Sequence, residues 1–319
     1  MAADPRIAIV GAGVSGLTSA VVLRERGYEP HVFAEKDAER STSGAAAAIW
    51  YPYDAGPEEL AVAWGMFTYG RLLDLLDDSK SGVSLVEFRS FSRTGSITPP
   101  LWTTALGARH LERDELLAPY RSGYTMRVPL MDANLYLPYL RGRIGEITYG
   151  VKFDRLEDVD RKFDIVINCT GFGARALVND PELEPHRGQV VIVEPVQLPY
   201  AFVCDEDPLT YVIPRRDDCV LGGCNDNLES MDETITTRIV DECSRVLNVP
   251  LVVKDSREGN RPFRKSGVRV EADILSDGRR VIHNYGHGGA GFSLSWGCAH
   301  KVAELVATPS SASRSATHR

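Results

Sequence analysis

The sequence predicts an α/β protein in which a Rossmann-like nucleotide-binding domain is interleaved with an α+β domain built on a sheet rich in antiparallel strands. Three observations predict this: a strand–turn–helix–strand unit at the N-terminus, an apolar strand near the middle, and a strand followed by a helix near the C-terminus. The 319 residues also suggest two domains, at about 150 residues per domain. The nucleotide-binding domain is assigned to residues 1–54, 146–184 and 276–307, and the second domain to residues 55–145 and 185–275. Residues 308–319 are rich in Ser, Ala and Thr and are predicted to be disordered.

The first unit consists of an apolar strand at residues 6–10, a helix at 14–26 that Gly27 ends, and a second strand at 31–34. Its length of about 30 residues is typical of a parallel βαβ crossover. The remaining periodic segments predict helices at residues 56–78, 231–247 and 291–306, and strands at 148–153, 163–168, 188–193, 210–213, 219–222 and 280–285.

Composition excludes several classes of function. The net charge of −8 disfavours a surface for nucleic acid or anionic membranes. Residues 7–23 lack charge, but three glycines interrupt them and no cleavage site follows, so they are interpreted as folded soluble structure. The six cysteines show no zinc-like spacing, which indicates reduced thiols in a cytoplasmic protein without a metal.

Residues 11–16 match the dinucleotide fingerprint G-x-G-x-x-G. Gly11 permits the tight turn, Gly13 lets the backbone approach a pyrophosphate, and Gly16 allows close packing of helix on strand. Glu35 lies nineteen residues after Gly16, where a carboxylate can bind ribose hydroxyls. Lys36 or Arg40 could instead bind a 2′-phosphate, but Glu35 would repel it. FAD or NAD is therefore favoured over NADP, and the fingerprint alone does not separate FAD from NAD.

Three further segments resemble the D-amino-acid oxidase family, which belongs to the same clan as the glycine and sarcosine oxidases. They are residues 40–53, the Asn-Cys-Thr-Gly segment at 168–171, and the glycine-rich segment at 282–291 that leads to residues 295–298. The resemblance extends from residue 6 to about 307 and implies non-covalently bound FAD. Gly286, Gly288, Gly289 and Gly291 would let the backbone approach a flat ligand, and the helix that follows would stabilise negative charge on a reduced flavin.

The fingerprint and the resemblance together predict a set of FAD-contacting residues. The set comprises Gly11, Gly13, Val14, Ser15, Gly16, Glu35, Lys36, Thr42, Ser43, Ala47, Ala48, Ile49, Lys152, Thr170, Gly171, Gly288, Gly289, Ala290, Gly291, Phe292 and Ser293. Ser293 stands where the family has a hydroxyl near the flavin, although it could equally be a polar residue at a helix N-terminus.

The resemblance also predicts the substrate site. An arginine fork suits the α-carboxylate, and the alignment assigns this role to Arg264 in preference to Arg261. Tyr211 matches the tyrosine that also binds the carboxylate, and Gly289 the position whose carbonyl accepts from the substrate amine. Tyr51 and Tyr53 are expected to line the pocket.

The resemblance implies oxidative deamination of D-α-amino acids to 2-oxo acids, ammonia and H₂O₂, by hydride transfer from Cα to flavin N5 with O₂ as acceptor. A neutral amine can deliver hydride without a general base, so His283 and His287 are interpreted as structural. Neutral side chains are expected to be favoured over acidic ones, because Asn225 stands where D-aspartate oxidases are expected to have an arginine. The short segment 202–211 leaves a mobile lid in doubt.

Three alternative functions stay open at this stage: an oxidase of glycine, sarcosine or another small amine, a pathway-specific flavin dehydrogenase, and a non-catalytic nucleotide-binding protein. A homodimer also stays open.

Overall fold

The computed structural model of the chain describes residues 4–225 and 232–308, so the predicted disordered tail lies almost entirely outside the described residues. The helices of this part are α1 (Val14–Glu25), α2 (Thr42–Ala45), α3 (Glu58–Leu73), α4 (Ala133–Gly142), α5 (Ala174–Leu177), α6 (Glu233–Leu247) and α7 (Gly291–Ala307). Its strands are β1 (Ile7–Val10), β2 (His31–Ala34), β3 (Val83–Ser92), β4 (Arg109–His110), β5 (Ser122–Met131), β6 (Ile147–Tyr149), β7 (Ile165–Asn168), β8 (Leu183–Val193), β9 (Tyr200–Cys204), β10 (Thr210–Pro214), β11 (Cys219–Gly222), β12 (Val253–Arg264), β13 (Arg269–Ile274) and β14 (Arg280–Tyr285).

The first sheet has six strands in the order β13-β14-β7-β1-β2-β6. All neighbouring pairs except β13–β14 are parallel. Strands β1 and β7 are buried along their whole length, as expected for the centre of a parallel sheet covered on both faces. Because parallel strands end at the same edge, the segments that follow β1, β2 and β7 meet there.

The second sheet has eight strands in the order β12-β8-β11-β10-β9-β3-β5-β4. Its neighbours are antiparallel except for the pair β3–β9. Helix α6 packs on this sheet with Ile235, Ile239, Cys243 and Val246, which recur at helical spacing and are buried. The two sheets confirm the predicted fold class.

One apolar core joins the two sheets. Helices α1 and α3 pack on α7, and the buried side chains form a cluster that continues into β3 and β5. Two tryptophans are fully buried in it and are hydrogen-bonded: Trp50 Nε1 donates to the Gly65 carbonyl at 3.0 Å, and Trp296 Nε1 to the Tyr136 hydroxyl at 2.8 Å. None of the described helices is both long enough and apolar enough to cross a membrane.

One predicted domain boundary is wrong. Residues 269–274 were assigned to the second domain, but they form β13, which pairs with β14 from Arg269 opposite Tyr285 to Ile274 opposite Arg280. They therefore add an antiparallel edge to the nucleotide-binding sheet. The other boundaries stay predictions.

Candidate active site

A large cavity of about 760 Å³ lies where the strand ends of the parallel sheet face the eight-stranded sheet. Its volume is in the upper part of the range typical of ligand and cofactor pockets. All but three of the predicted FAD-contacting residues line it, namely Gly11, Gly13, Val14, Ser15, Glu35, Lys36, Thr42, Ser43, Ala47, Ala48, Ile49, Lys152, Thr170, Gly171, Gly288, Gly289, Gly291 and Phe292. Residues far apart in sequence thus meet at one cavity.

The fingerprint turn forms one end of the cavity. Gly11 has φ +109°, and a Cβ there would lie 2.3 Å from the Cys169 carbonyl oxygen, so no other residue fits. Gly13 is the N-cap residue of α1 and lies on the cavity wall. The Val14 N–H donates to Ser43 Oγ at 3.0 Å. Gly16 does not line the cavity. A Cβ at this position would lie 1.9 Å from the Gly11 carbonyl oxygen, so a side chain would push α1 away from the turn. Its contribution is the close packing of α1 on the turn.

The adenosine end is predicted around Glu35, which follows the last residue of β2 and lines the cavity. Lys152 lies nearby, because the Val151 N–H donates to the Ala34 carbonyl at 3.1 Å and holds the segment after β6 beside the end of β2. Arg40 is absent from the lining and contacts Asp37 at 3.3 Å. An acidic side chain at the strand end fits a free ribose, and its charge opposes a 2′-phosphate.

The segment from Ala46 to Trp50 forms a wall of the cavity by adding to the edge of β5. The Trp50 N–H donates to the Pro129 carbonyl at 2.8 Å, and the Met131 N–H to the Ala48 carbonyl at 3.0 Å. Ala48 adopts φ +58°, an unusual conformation for a residue with a Cβ. Backbone pairing on both sides of Ala48 holds this segment in place.

The glycine turn before α7 forms the opposite wall. A Cβ on Gly288 would lie 1.8 Å from the Asp54 carbonyl oxygen, and one on Gly289 would lie 2.6 Å from Tyr53 Cδ1. Ala290 and Ser293 are buried and do not line the cavity. For these two and for Gly16, the contact with FAD stays a prediction.

Ser293 has a positioning role of its own. Its hydroxyl accepts from the Tyr51 N–H and donates to the Tyr51 carbonyl, both at 2.9 Å. The reason is that α7 begins directly beside the segment 46–53. Ser293 thus holds the backbone of a pocket tyrosine.

The far end of the cavity is lined by Tyr51, Tyr53, Tyr211 and Arg261. Burial raises the pKa of Tyr211, while the Arg261 guanidinium opposes this rise through its positive charge and a hydrogen bond. Arg261 Nη1 contacts Asn225 Oδ1 at 3.2 Å, and no described carboxylate forms an ion pair with Arg261. Within the described part of the chain, this end therefore has a guanidinium without a counter-ion beside the half-buried Tyr211.

Strand β12 brings Arg261 next to the glycine turn. The Gly288 N–H donates to the Pro262 carbonyl at 2.9 Å, and Phe263 forms an isolated bridge with His287. These contacts consequently hold Arg261, the residue before Pro262, at the end of the cavity where the glycine turn lies.

The prediction that Arg264 lines the substrate pocket is wrong. Arg264 Nε lies 2.8 Å from Asp180 Oδ2, and Nη2 lies 2.7 Å from Glu182 Oε2, outside the cavity. The physical reason is strand geometry: residues three positions apart on a strand point to opposite faces, so Arg261 and Arg264 cannot both face the cavity. The ladder between β12 and β8 is regular across both positions.

The structure adds site residues that the sequence reasoning missed. Asp205, directly after β9, and Phe88 of β3 line the cavity beside Tyr51 and Tyr53. Burial raises the pKa of Asp205. The signal was available, since Asp205 follows an apolar run at residues 200–204, but neither that strand nor β3 was predicted.

The two histidines of the C-terminal signature are buried. Burial lowers the pKa of His283 and of His287 to about 4, so both are neutral near pH 7. His287 Nε2 lies 3.1 Å from Asn284 Oδ1. These contacts fit the structural role predicted for them.

The arrangement of this cavity is that of a flavin oxidoreductase, and the comparisons with known proteins agree. The family described as FAD dependent oxidoreductase matches residues 6–305, and the chain belongs to this family. A D-amino-acid oxidase of Rubrobacter xylanophilus is 38% identical over 94% of this chain and 95% of its own. One from Streptomyces coelicolor is 36% identical over 95% and 97%. The solved structure of glycine oxidase from Geobacillus kaustophilus has a TM-score of 0.76 at 15% identity, covering 96% of this chain and 95% of that chain. The resemblance inferred from the motifs is confirmed, and FAD is the cofactor.

Proposed function

We propose that this protein catalyses the FAD-dependent oxidation of D-α-amino acids to 2-oxo acids, ammonia and H₂O₂. The observation that supports this most strongly is the Arg261 guanidinium, which lies beside Tyr211 at the far end of the cavity and has no ion pair with a carboxylate of residues 4–225 or 232–308. A guanidinium binds a carboxylate through two parallel hydrogen bonds, and a neighbouring hydroxyl can donate a third. We therefore assign the carboxylate-binding role to Arg261 instead of Arg264.

FAD, when bound, accepts the hydride from Cα of the substrate. The residues of the chain supply position: Arg261 and Tyr211 hold the carboxylate, and the Gly289 carbonyl accepts from the amine. Tyr51, Tyr53 and Phe88 surround the remaining space and exclude water. Such positioning can supply a large part of catalysis when no proton transfer at Cα is needed.

This arrangement favours one enantiomer. Two substituents of Cα are fixed by the carboxylate and amine contacts, and the hydrogen must point towards the flavin. Only one hand then places the side chain in the space lined by Tyr51 and Phe88. We assign that hand as D, in line with the relatives named D-amino-acid oxidase.

The competing function is oxidation of glycine, sarcosine or another small amine. The Geobacillus glycine oxidase shares the fold at 15% identity, which shows no more than the fold. A dehydrogenase that transfers electrons to an acceptor other than O₂ is the second alternative. We further propose O₂ as the acceptor and a cytoplasmic location, and we keep a homodimer as an open prediction.

A peroxide assay of the purified holoenzyme separates these possibilities. The substrates are D- and L-alanine, D- and L-methionine, D-proline, D-aspartate, glycine and sarcosine, with oxygen consumption followed in parallel. We expect H₂O₂ with the neutral D-amino acids, less with D-aspartate, and none with L-enantiomers. Higher rates with glycine or sarcosine would identify the small-amine oxidase, and flavin reduction without oxygen consumption would identify a dehydrogenase.

A further inference from the structure

Asp205 faces the same cavity as Tyr211. Val203 pairs with Tyr211 in the antiparallel ladder between β9 and β10, and both line the cavity. Asp205 is two residues beyond Val203, and residues two apart on an extended chain share a face. Its side chain is therefore open to the cavity, and it also reaches solvent, because Asp205 is an exposed residue.

The Asp205 carboxylate has no hydrogen bond or ion pair with any described residue. The next residue shows the contrast: the Glu206 carboxylate accepts from Ser92 Oγ at 2.5 Å and from the Arg93 N–H at 2.6 Å. Burial raises the pKa values of Tyr51 and Tyr53, and the negative charge of Asp205 adds to this rise. Asp205 is therefore a charged group of the cavity wall that is available to a cationic ligand.

Arg261 and Asp205 do not neutralise each other. They lie on or next to β12 and β9, which are separated by β8, β11 and β10. Four strand spacings amount to about 19 Å between the backbones, before the side chains reach inwards. Arg261, Asp205 and Tyr53 all line the cavity, and both charges act on the pKa of Tyr53, Asp205 raising it and Arg261 lowering it. The cavity thus offers a cation at one side and an anion at the other.

A substrate that satisfies both groups needs a carboxylate and a separate cation. The α-amine is a poor candidate for the cation, because hydride leaves Cα only when the amine is neutral and a carboxylate beside it would favour the ammonium form. The cation must then belong to the side chain. We propose, building on the function proposed above, that Asp205 binds the side-chain cation of substrates such as D-lysine and D-arginine and makes them preferred over neutral isosteres.

Paired substrates test this on the holoenzyme. D-arginine is compared with D-citrulline, and D-lysine with D-norleucine, in the wild type, in Asp205→Asn and in the control Asp217→Asn. Asp217→Asn removes the same charge from an exposed residue outside the cavity. We expect the wild type to favour the cationic member of each pair. Asp205→Asn should lower kcat/KM for the cationic members by about tenfold to a hundredfold and leave the neutral members little changed.

The outcomes separate the two proposals. Equal losses for cationic and neutral substrates in Asp205→Asn would overturn this inference and place Asp205 at the α-amine. A wild type that does not favour the cationic members would also overturn it, even if the variant fails to fold. The same changes in Asp217→Asn would show a long-range charge effect and refute a direct contact. In each of these cases D-amino-acid oxidation itself stands, whereas no activity on any D-amino acid would refute the proposed function.

Discussion

The two ends of the cavity are built differently. The cofactor end consists of backbone and small residues in loops that follow β1, β2 and β7, together with the glycine turn before α7. The substrate end consists of large side chains from the second sheet, with Tyr211 on β10, Asp205 after β9 and Arg261 on β12. Binding at the cofactor end therefore depends on backbone geometry. Binding at the substrate end depends on which face of each strand a side chain occupies.

The largest expected effect is at the substrate end. Arg261→Ala removes a bidentate, charge-assisted contact, so kcat/KM for D-methionine should fall on the order of a hundredfold or more. Arg261→Lys should recover little, because a point charge does not reproduce the fork. FAD content, measured by absorbance, should stay unchanged. Wild-type kinetics in Arg261→Ala would show that the carboxylate binds elsewhere.

Arg264→Ala should instead affect stability. Its removal leaves the buried Asp180 carboxylate with the Tyr285 hydroxyl and the Glu182 N–H as its partners among the described residues. The free energy of unfolding should drop by about 3 kcal/mol, while kcat/KM at 25 °C stays near the wild type. Lys265→Ala is the control, because its pair with Glu184 is mostly exposed and contributes about 1 kcal/mol at most. Denaturant unfolding measures both, and equal losses would contradict the assignment.

Arg261 and Arg264 show which parts of the site could not be predicted from the sequence. The segments 11–16 and 282–291 are local, and the residues that form each turn follow one another, so their role could be predicted. The choice between Arg261 and Arg264 depends on which face of β12 points to the cavity. The position of Asp205 at the cavity depends on β9, a strand that was not predicted. Such long-range facts require the pairing of β12 with β8 and of β9 with β10.

At the cofactor end, Gly13→Ala should weaken FAD binding without preventing folding. A Cβ at Gly13 projects at the cavity wall and would lie 3.1 Å from Ser43 Oγ, so the pyrophosphate loses its close approach. We expect the Kd for FAD, measured by flavin fluorescence, to rise on the order of tenfold. Gly70→Ala, where a Cβ meets open space, should leave it unchanged. An unaltered Kd in Gly13→Ala would argue against the fingerprint as the phosphate site.

An effect as small as that of Gly13→Ala is expected for Tyr211→Phe, at the substrate end. The variant keeps the ring and loses one hydrogen bond to a charged group, so kcat/KM should fall by about tenfold. Tyr120→Phe is the matched control, since the Tyr120 hydroxyl is buried, has no hydrogen bond to a described residue and lies outside this cavity. A similar loss in both variants would indicate a general effect on folding.

The central claim is that one cavity holds FAD at one end and orients a D-amino acid at the other through Arg261. Anaerobic mixing with D- or L-methionine tests it most directly, with the flavin absorbance near 450 nm as the readout. The account predicts rapid bleaching of the wild type by the D-enantiomer, none by the L-enantiomer, and slow bleaching of Arg261→Ala. Equal bleaching by both enantiomers, or no bleaching by either, would contradict it.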